Sequence, residues 1–164
     1  MKVLANDGIS QSGIDALEAQ GFEVITTNVA QEQLISYINE NEVTVLLVRS
    51  ATTARKELVD SCPSLKIIGR GGVGMDNIDV AYAREKGLNV INTPASSSAS
   101  VAELVFAHLY GGVRFLHDSN RNMPLEGESN FKGLKKAYAK GIELRGKTIG
   151  IIGFGRIGQE VAKI

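Results

Sequence analysis

Only one cysteine, Cys62, occurs among the 164 residues, which excludes an internal disulfide and a cysteine-based metal cluster. It stands in Asp60-Ser61-Cys62-Pro63, where a helix should end, with no His or Asn near it in sequence. A half-buried structural thiol is therefore expected rather than a nucleophile. Histidine is also scarce: His108 and His117 are the only two, both on one expected helix, and neither sits in a metal-ligand pattern. No metal site is expected. Charge of one sign is missing as well. The 18 basic and 18 acidic side chains cancel, which argues against nucleic acid or an anionic membrane as the main partner. No apolar run approaches the roughly 18 residues of a membrane span, and the first residues read as a strand, not a signal peptide. The expectation is a soluble, cytoplasmic protein. No internal repeat stands out beyond an alternation of strand and helix.

That alternation is the main positive signal. Met1–Asn6 reads as a strand, and Ser10 can cap a helix carrying Ile14 and Leu17, with Gly21 as its stop. Phe22–Thr26 alternates as a second strand, and Gln31–Asn39 is helical, with Leu34, Ile35 and Ile38 facing inward. Val43–Val48 is apolar almost throughout, as a parallel strand covered on both faces should be. Ala54–Ser61 (helix), Leu65–Gly69 (strand), Asp79–Lys86 (helix) and Leu88–Ile91 (strand) complete the pattern. It predicts an α/β fold with a doubly wound, parallel, five-stranded sheet of flavodoxin-like type. Ligands bind such sheets at the carboxyl ends of the strands. The loops at those ends are 6–8, 49–53, 70–77 and 92–100.

After Asn92 the rhythm changes. Ser100-Val101-Ala102-Glu103 matches a capping box and predicts a helix to about His117, weakened at Gly111-Gly112. Asp118–Gly146, broken by Pro124, Gly127, Gly133 and Gly141, predicts an irregular arm with a short helix over 134–140. The expected organisation is a first domain over 1–98, a crossover helix and arm over 99–146, and a new strand–turn–helix unit over 147–164.

Four stretches could carry chemistry. Arg49-Ser50 follows a buried strand, and the Arg49 guanidinium suits a carboxylate or phosphate; it could equally be a surface arginine paired with an acid. Arg70–Asn77 is glycine-rich, so its amides can form an anion-binding nest, while Asp76 or Asn77 could cap the next helix. Asn92–Ser98 offers serine hydroxyls, or serves simply as a polar linker. Last, strand-forming Thr148, Ile149, Ile151 and Ile152 lead into Gly153-Phe154-Gly155-Arg156-Ile157-Gly158. In that order each glycine has a purpose: Gly153 turns the chain out of the strand, Gly155 leaves room for a pyrophosphate, and Gly158 lets the helix pack closely. The helix start then offers free N–H groups to the phosphates.

Leu46–Thr52, Ile67–Asp79, Gly87–Pro94, Ser100–Ala107 and Leu144–Gly158, read together and in this order, resemble the D-isomer-specific 2-hydroxyacid dehydrogenases over the whole chain. The resemblance implies a first domain that clamps the substrate and a second that binds NAD on its own Rossmann sheet. By position it assigns substrate contacts to Arg49, Ser50, Val73, Gly74 and Ser97, the last standing where many relatives carry Asn. It assigns cofactor contacts to Gly153, Gly155, Arg156, Ile157 and Gly158, and to Val73 at the nicotinamide end. The family's catalytic Arg, Glu and His would lie beyond Ile164, so no catalytic residue is expected here, and the 164-residue chain alone is expected to be inactive. The implied reaction moves hydride between NAD and a small 2-hydroxy acid. The first expectation is 3-phosphoglycerate to 3-phosphohydroxypyruvate, at the head of serine synthesis. Glyoxylate, hydroxypyruvate or D-lactate as substrate, or a non-catalytic NAD-sensing corepressor-like or binding module, are the alternatives. The resemblance also implies a homo-oligomer, such as a dimer.

Overall fold

Val3, Leu4 and Ala5 are fully buried, and the sheet grows outward from the strand they belong to. The computed structural model describes all 164 residues, Met1–Ile164. The chain divides into two compact units, Met1–Ser96 and Ser97–Ile164.

The first unit is an alternation of strands and helices. In chain order they are β1 (Lys2–Ala5), α1 (Gln11–Ala19), β2 (Glu23–Ile25), α2 (Leu34–Glu40), β3 (Val45–Val48), α3 (Lys56–Ser61), β4 (Ile67–Arg70), α4 (Val80–Glu85) and β5 (Asn89–Asn92). A short 3-10 turn, Gln31–Gln33, leads into α2. All four strand pairings are parallel, in the order β2-β1-β3-β4-β5, so the predicted five-stranded α/β sheet is present. The alternation survives because three of the four helices set an apolar face on the sheet, while α1 buries no residue. Leu34 and Ile38 of α2, Leu58 and Val59 of α3 and Ala83 of α4 join Leu4, Leu46 and Ile68 in one core. Helix stops also fall where expected: Gly21 and Gly87 take φ of 80° and 87°, which only glycine adopts at little cost.

The strand order has one consequence for the site. From β1 the chain moves to β2 on one side, and from β3 onward it moves to the other. The loops leaving β1 and β3 therefore diverge, opening a crevice at their carboxyl ends.

The second unit contains α5 (Ser98–Val113), α6 (Leu116–Tyr138) and α7 (Arg156–Lys163). It departs from expectation in four places. First, α5 begins at Ser98, with Ser97 as the flanking residue and no side-chain cap. The Val101 N–H already bonds the Ser97 carbonyl at 3.0 Å. Ser100 and Glu103 thus lie inside the helix, and the expected capping box does not form. Second, α5 ends at Val113, and Phe115 turns the chain with a left-handed φ of 54°. His108 and His117 consequently lie on different helices, not on one.

Third, Asp118–Gly146 is not mainly irregular. α6 covers 23 residues, including Pro124, with a break at Asn130 (φ −134°, ψ 31°). A straight helix of that length would hold its ends about 35 Å apart. Instead the Phe115 and Tyr138 rings are 6.1 Å apart, and Asn122 donates to the Tyr138 hydroxyl at 3.0 Å. The segment is therefore two helical arms folded back on each other at Asn130. Contact between the arms stabilises a sequence whose own helix propensity is poor. Fourth, the strand expected at Lys147–Gly153 is absent as a strand. Its residues carry the strand pattern, but no segment of this chain offers a ladder to them, and Ile152 is fully exposed. No helix of the chain is long and apolar enough to cross a membrane.

Candidate functional site

A cleft of about 720 Å³ opens at the carboxyl ends of β1, β3, β4 and β5. Its lining includes Asp7, Ile9, Arg49, Arg70, Ile91 and Thr93. Strand ends deliver these side chains. Buried β3 hands Arg49 to the cleft, and β4 hands it Arg70. Neither guanidinium takes part in any of the ion pairs of the chain, which join Arg55 to Asp79, Lys86 to Asp60 and Lys163 to Glu160. Arg49 is exposed, as a surface arginine would be, but no acid pairs with it. The Arg70 guanidinium folds against Gly72, in space that any side chain at 72 would fill, and its buried Nε has no partner.

The only carboxylate lining the cleft is already occupied. Asp7 Oδ2 accepts the backbone N–H of Arg49 at 2.6 Å and that of Thr52 at 3.1 Å, and Oδ1 accepts the Thr52 hydroxyl. Burial would raise the Asp7 pKa, but the Thr52 hydroxyl and the Arg49 and Thr52 amides outweigh it and hold the carboxyl below its usual range. Asp7 is therefore an anion whose oxygens already accept two backbone amides and one hydroxyl from the Arg49–Thr52 turn. From the other side, Asn77 Nδ2 donates to the carbonyls of Arg49 (2.9 Å) and Thr52 (2.7 Å). Behind them, buried Asn6 donates through Nδ2 to Thr52 Oγ1 (2.8 Å) and to the Val29 carbonyl, and accepts the Val29 N–H.

Of the residues singled out in the sequence, Arg49 lines the cleft, while Ser50, Val73 and Gly74 lie outside its lining. The Val73 and Gly74 amides make no hydrogen bond to the protein, although the loop is anchored by Asn92 Nδ2 on the Val73 carbonyl (2.7 Å) and by the Thr93 N–H on the Gly72 carbonyl (3.1 Å). They remain available to an anion, as a nest requires. Asn77 does not cap α4; Asp79 flanks that helix, and its carboxylate instead takes Arg55 and the Lys56 N–H. Ser97 belongs to the second unit, at the start of α5. Asp7, Arg70 and the bracing role of Asn77 escaped sequence reasoning. The available signal was position: Asp7 and Arg70 both stand at the C-terminal ends of buried parallel strands.

In the second unit the glycine turn has the local backbone geometry expected of it, although no strand precedes it. Gly153 takes φ 93°, Gly155 flanks α7 with open space where a side chain would be, and a Cβ at Gly158 would overlap the Gly153 carbonyl oxygen. Arg156 and Ile157 form the first turn of α7, whose leading amides have no side-chain cap. Those residues fit a pyrophosphate. Elsewhere no cluster of His, Cys, Asp or Glu could hold a metal ion. Cys62 is buried, and burial pushes its thiol up to about 11, which makes it inert.

Residues 3–152 match the family model described as D-isomer specific 2-hydroxyacid dehydrogenase, catalytic domain. The D-3-phosphoglycerate dehydrogenase of Methanocaldococcus jannaschii is 40% identical over 163 residues, covering 99% of this chain and 30% of that protein. The hydroxypyruvate reductase of Thermotoga maritima is 41% identical over 163 residues, covering 99% of this chain and 51% of that protein. The chain thus spans about half the length, or less, of the curated relatives it matches. Among solved structures, the NAD-dependent formate dehydrogenase of Staphylococcus aureus in complex with NAD superposes with a TM-score of 0.78 at 30% identity, over 99% of this chain and 52% of that one.

Proposed function

Because this chain belongs to the D-isomer-specific 2-hydroxyacid dehydrogenase family, we propose that it forms the acid-clamping portion of an NAD-dependent oxidoreductase, with 3-phosphoglycerate as the acid. The observation that carries the choice of acid is the pair of guanidinium groups, Arg49 and Arg70, in one cleft without a carboxylate partner. A substrate with a carboxylate at one end and a phosphate at the other presents an anion to each. Bidentate guanidinium bonding suits both groups. The free Val73 and Gly74 amides add donors for the carboxylate. The relatives named D-3-phosphoglycerate dehydrogenase support the same choice.

The glycine turn at 153–158 then holds the pyrophosphate of NAD through α7 amides. Bound there, NAD would supply the acceptor for the hydride from C2 of the acid, while the hydroxyl proton would pass to a general base or to water. Self-association belongs to this proposal, supported by the exposed apolar side chains of Leu125, Ile152 and Phe154.

Titration of isotope-labelled chain with 3-phosphoglycerate and with D-glycerate, followed by NMR, tests the acid. 3-Phosphoglycerate should bind about tenfold more tightly, the value of one charge-assisted contact. The Arg70→Ala variant should lose that preference while still binding D-glycerate. Equal affinities in the unaltered chain would remove the case for a phosphorylated acid and favour the hydroxypyruvate-type substrate that the Thermotoga relative's name suggests.

A further inference from the structure

Arg49 has no ion pair, so what fixes the direction of its side chain is its backbone, and that backbone is gripped from two sides. The N–H groups of Arg49 and Thr52 both point to one oxygen of Asp7, which arrives from the β1 loop. The carbonyls of the same two residues both accept from one nitrogen of Asn77, which arrives from the glycine-rich loop after β4. One acceptor and one donor thus satisfy four backbone groups at the two ends of a tight turn. The turn has no ladder of its own there. Asn77 is 7% exposed and tied in through its own backbone, since its carbonyl accepts the Ala54 N–H at 2.9 Å.

We propose that Asp7 and Asn77 are positioning residues for Arg49, two opposed halves of a clamp that aims its guanidinium into the cleft without either touching the ligand. The proposal rests on the reading of Arg49 as an anion-binding group. A ligand role for Asp7 is disfavoured on chemical grounds: a carboxylate repels an anionic acid, and its oxygens already hold donors from the loop. Asn77 likewise has both of its strong donors directed at Arg49 and Thr52. Their effect on binding must therefore pass through the 49–52 turn. The clamp also links two elements that sequence reading treats as separate, the arginine loop and the glycine-rich loop, since Asn77 belongs to the latter.

A double-mutant cycle separates this from general structural support. The dissociation constant for 3-phosphoglycerate is measured by NMR titration on the full chain, on Arg49→Ala, on Asn77→Ala and on the double variant, with circular dichroism to verify folding. Arg49→Ala should weaken binding about tenfold, in line with the loss of a charge-assisted contact. Asn77→Ala should weaken it severalfold when Arg49 is present and leave it unchanged when Arg49 is already alanine. Asp7→Asn, which keeps the shape and one acceptor oxygen, should follow the same pattern and replaces Asn77→Ala in the cycle if that variant does not fold. An equal factor in both backgrounds, or no effect in either, would overturn the clamp while leaving Arg49 as a ligand group. No effect of Arg49→Ala itself would overturn the reading on which the clamp rests.

Discussion

Replacing Gly158 by alanine should destabilise α7, although alanine is the better helix former. The gain in propensity is about 1 kcal/mol in favour of alanine in a helix interior. Against it stands the packing. A Cβ at 158 would overlap the Gly153 carbonyl oxygen, lie 3.3 Å from the Gly153 carbonyl carbon and touch Ile151 Cγ2 at 3.4 Å. The first two are backbone atoms of a tight turn and cannot rotate away, so α7 itself must retreat. Overpacking of this kind costs about 1–3 kcal/mol, and the rigid neighbour places Gly158 near the upper end. The net expectation is a loss of about 1–2 kcal/mol after the propensity gain is subtracted. Gly155→Ala is the internal control, because Gly155 has φ −77°, ψ −160° and nothing near its missing Cβ. It should change stability by less than about 0.5 kcal/mol. Urea denaturation by far-ultraviolet circular dichroism, with amide hydrogen exchange across Arg156–Lys163, measures both. A Gly158→Ala chain at least as stable as the parent would refute the close-packing account, as would equal losses at the two glycines.

Two further expectations concern the first unit. Ser10 Oγ accepts the Gly13 N–H at 3.3 Å at the start of α1, so Ser10→Ala should cost about 1 kcal/mol in urea unfolding, as a lost N-cap does. Cys62 should resist alkylation near neutral pH until the chain is unfolded, because burial raises its thiol from 9.0 to about 11. A raised folded-state value means that the native form holds its proton more tightly. The associated stability is thus complete below pH 9 and fades as pH climbs toward 11. Cys62→Ala should flatten that part of the stability–pH profile; an unchanged profile would show that the thiol does not contribute.

The first unit was legible because its signals are local and repeated. Val45–Val48 is apolar on both faces, Gly21 and Gly87 stop helices, and Ser10 caps one, all within a few residues of the element concerned. The glycines of the closing turn were legible for the same reason. Gly158 packs on Gly153, five positions away, as its place in the motif predicts. The failures involve distance. The bend of α6 depends on Phe115 meeting Tyr138, and no helix propensity of the intervening Pro124 or Gly127 announces that contact. The capping-box pattern at Ser100 and Glu103 is common enough to occur inside a helix that has already begun. The strand signal at Thr148–Ile152 is genuine as a pattern, but a strand also needs a neighbour. In the cleft, Arg49 could be read from its place after β3. Asp7 could not, because it reaches the Arg49 loop across more than forty residues of sequence.

The contact between Asn6 and Thr52 imposes a direction on the bonds below the cleft. Val29 presents both a carbonyl and an N–H to the Asn6 amide, so the amide can face only one way, with its nitrogen toward Thr52. The Thr52 oxygen must therefore receive there, and its single proton is left for Asp7. The side chains at positions 6, 7 and 52 are thereby coupled. Serine can replace Thr52 and preserve the polarity, valine of the same shape cannot, and aspartate at position 6 would reverse it by removing the donor. The stretch ahead of α2, outside the lining of the cleft, thus determines which way hydrogen-bond polarity runs toward Asp7, and the choice of residue at 6 and 52 is constrained by a backbone that neither belongs to.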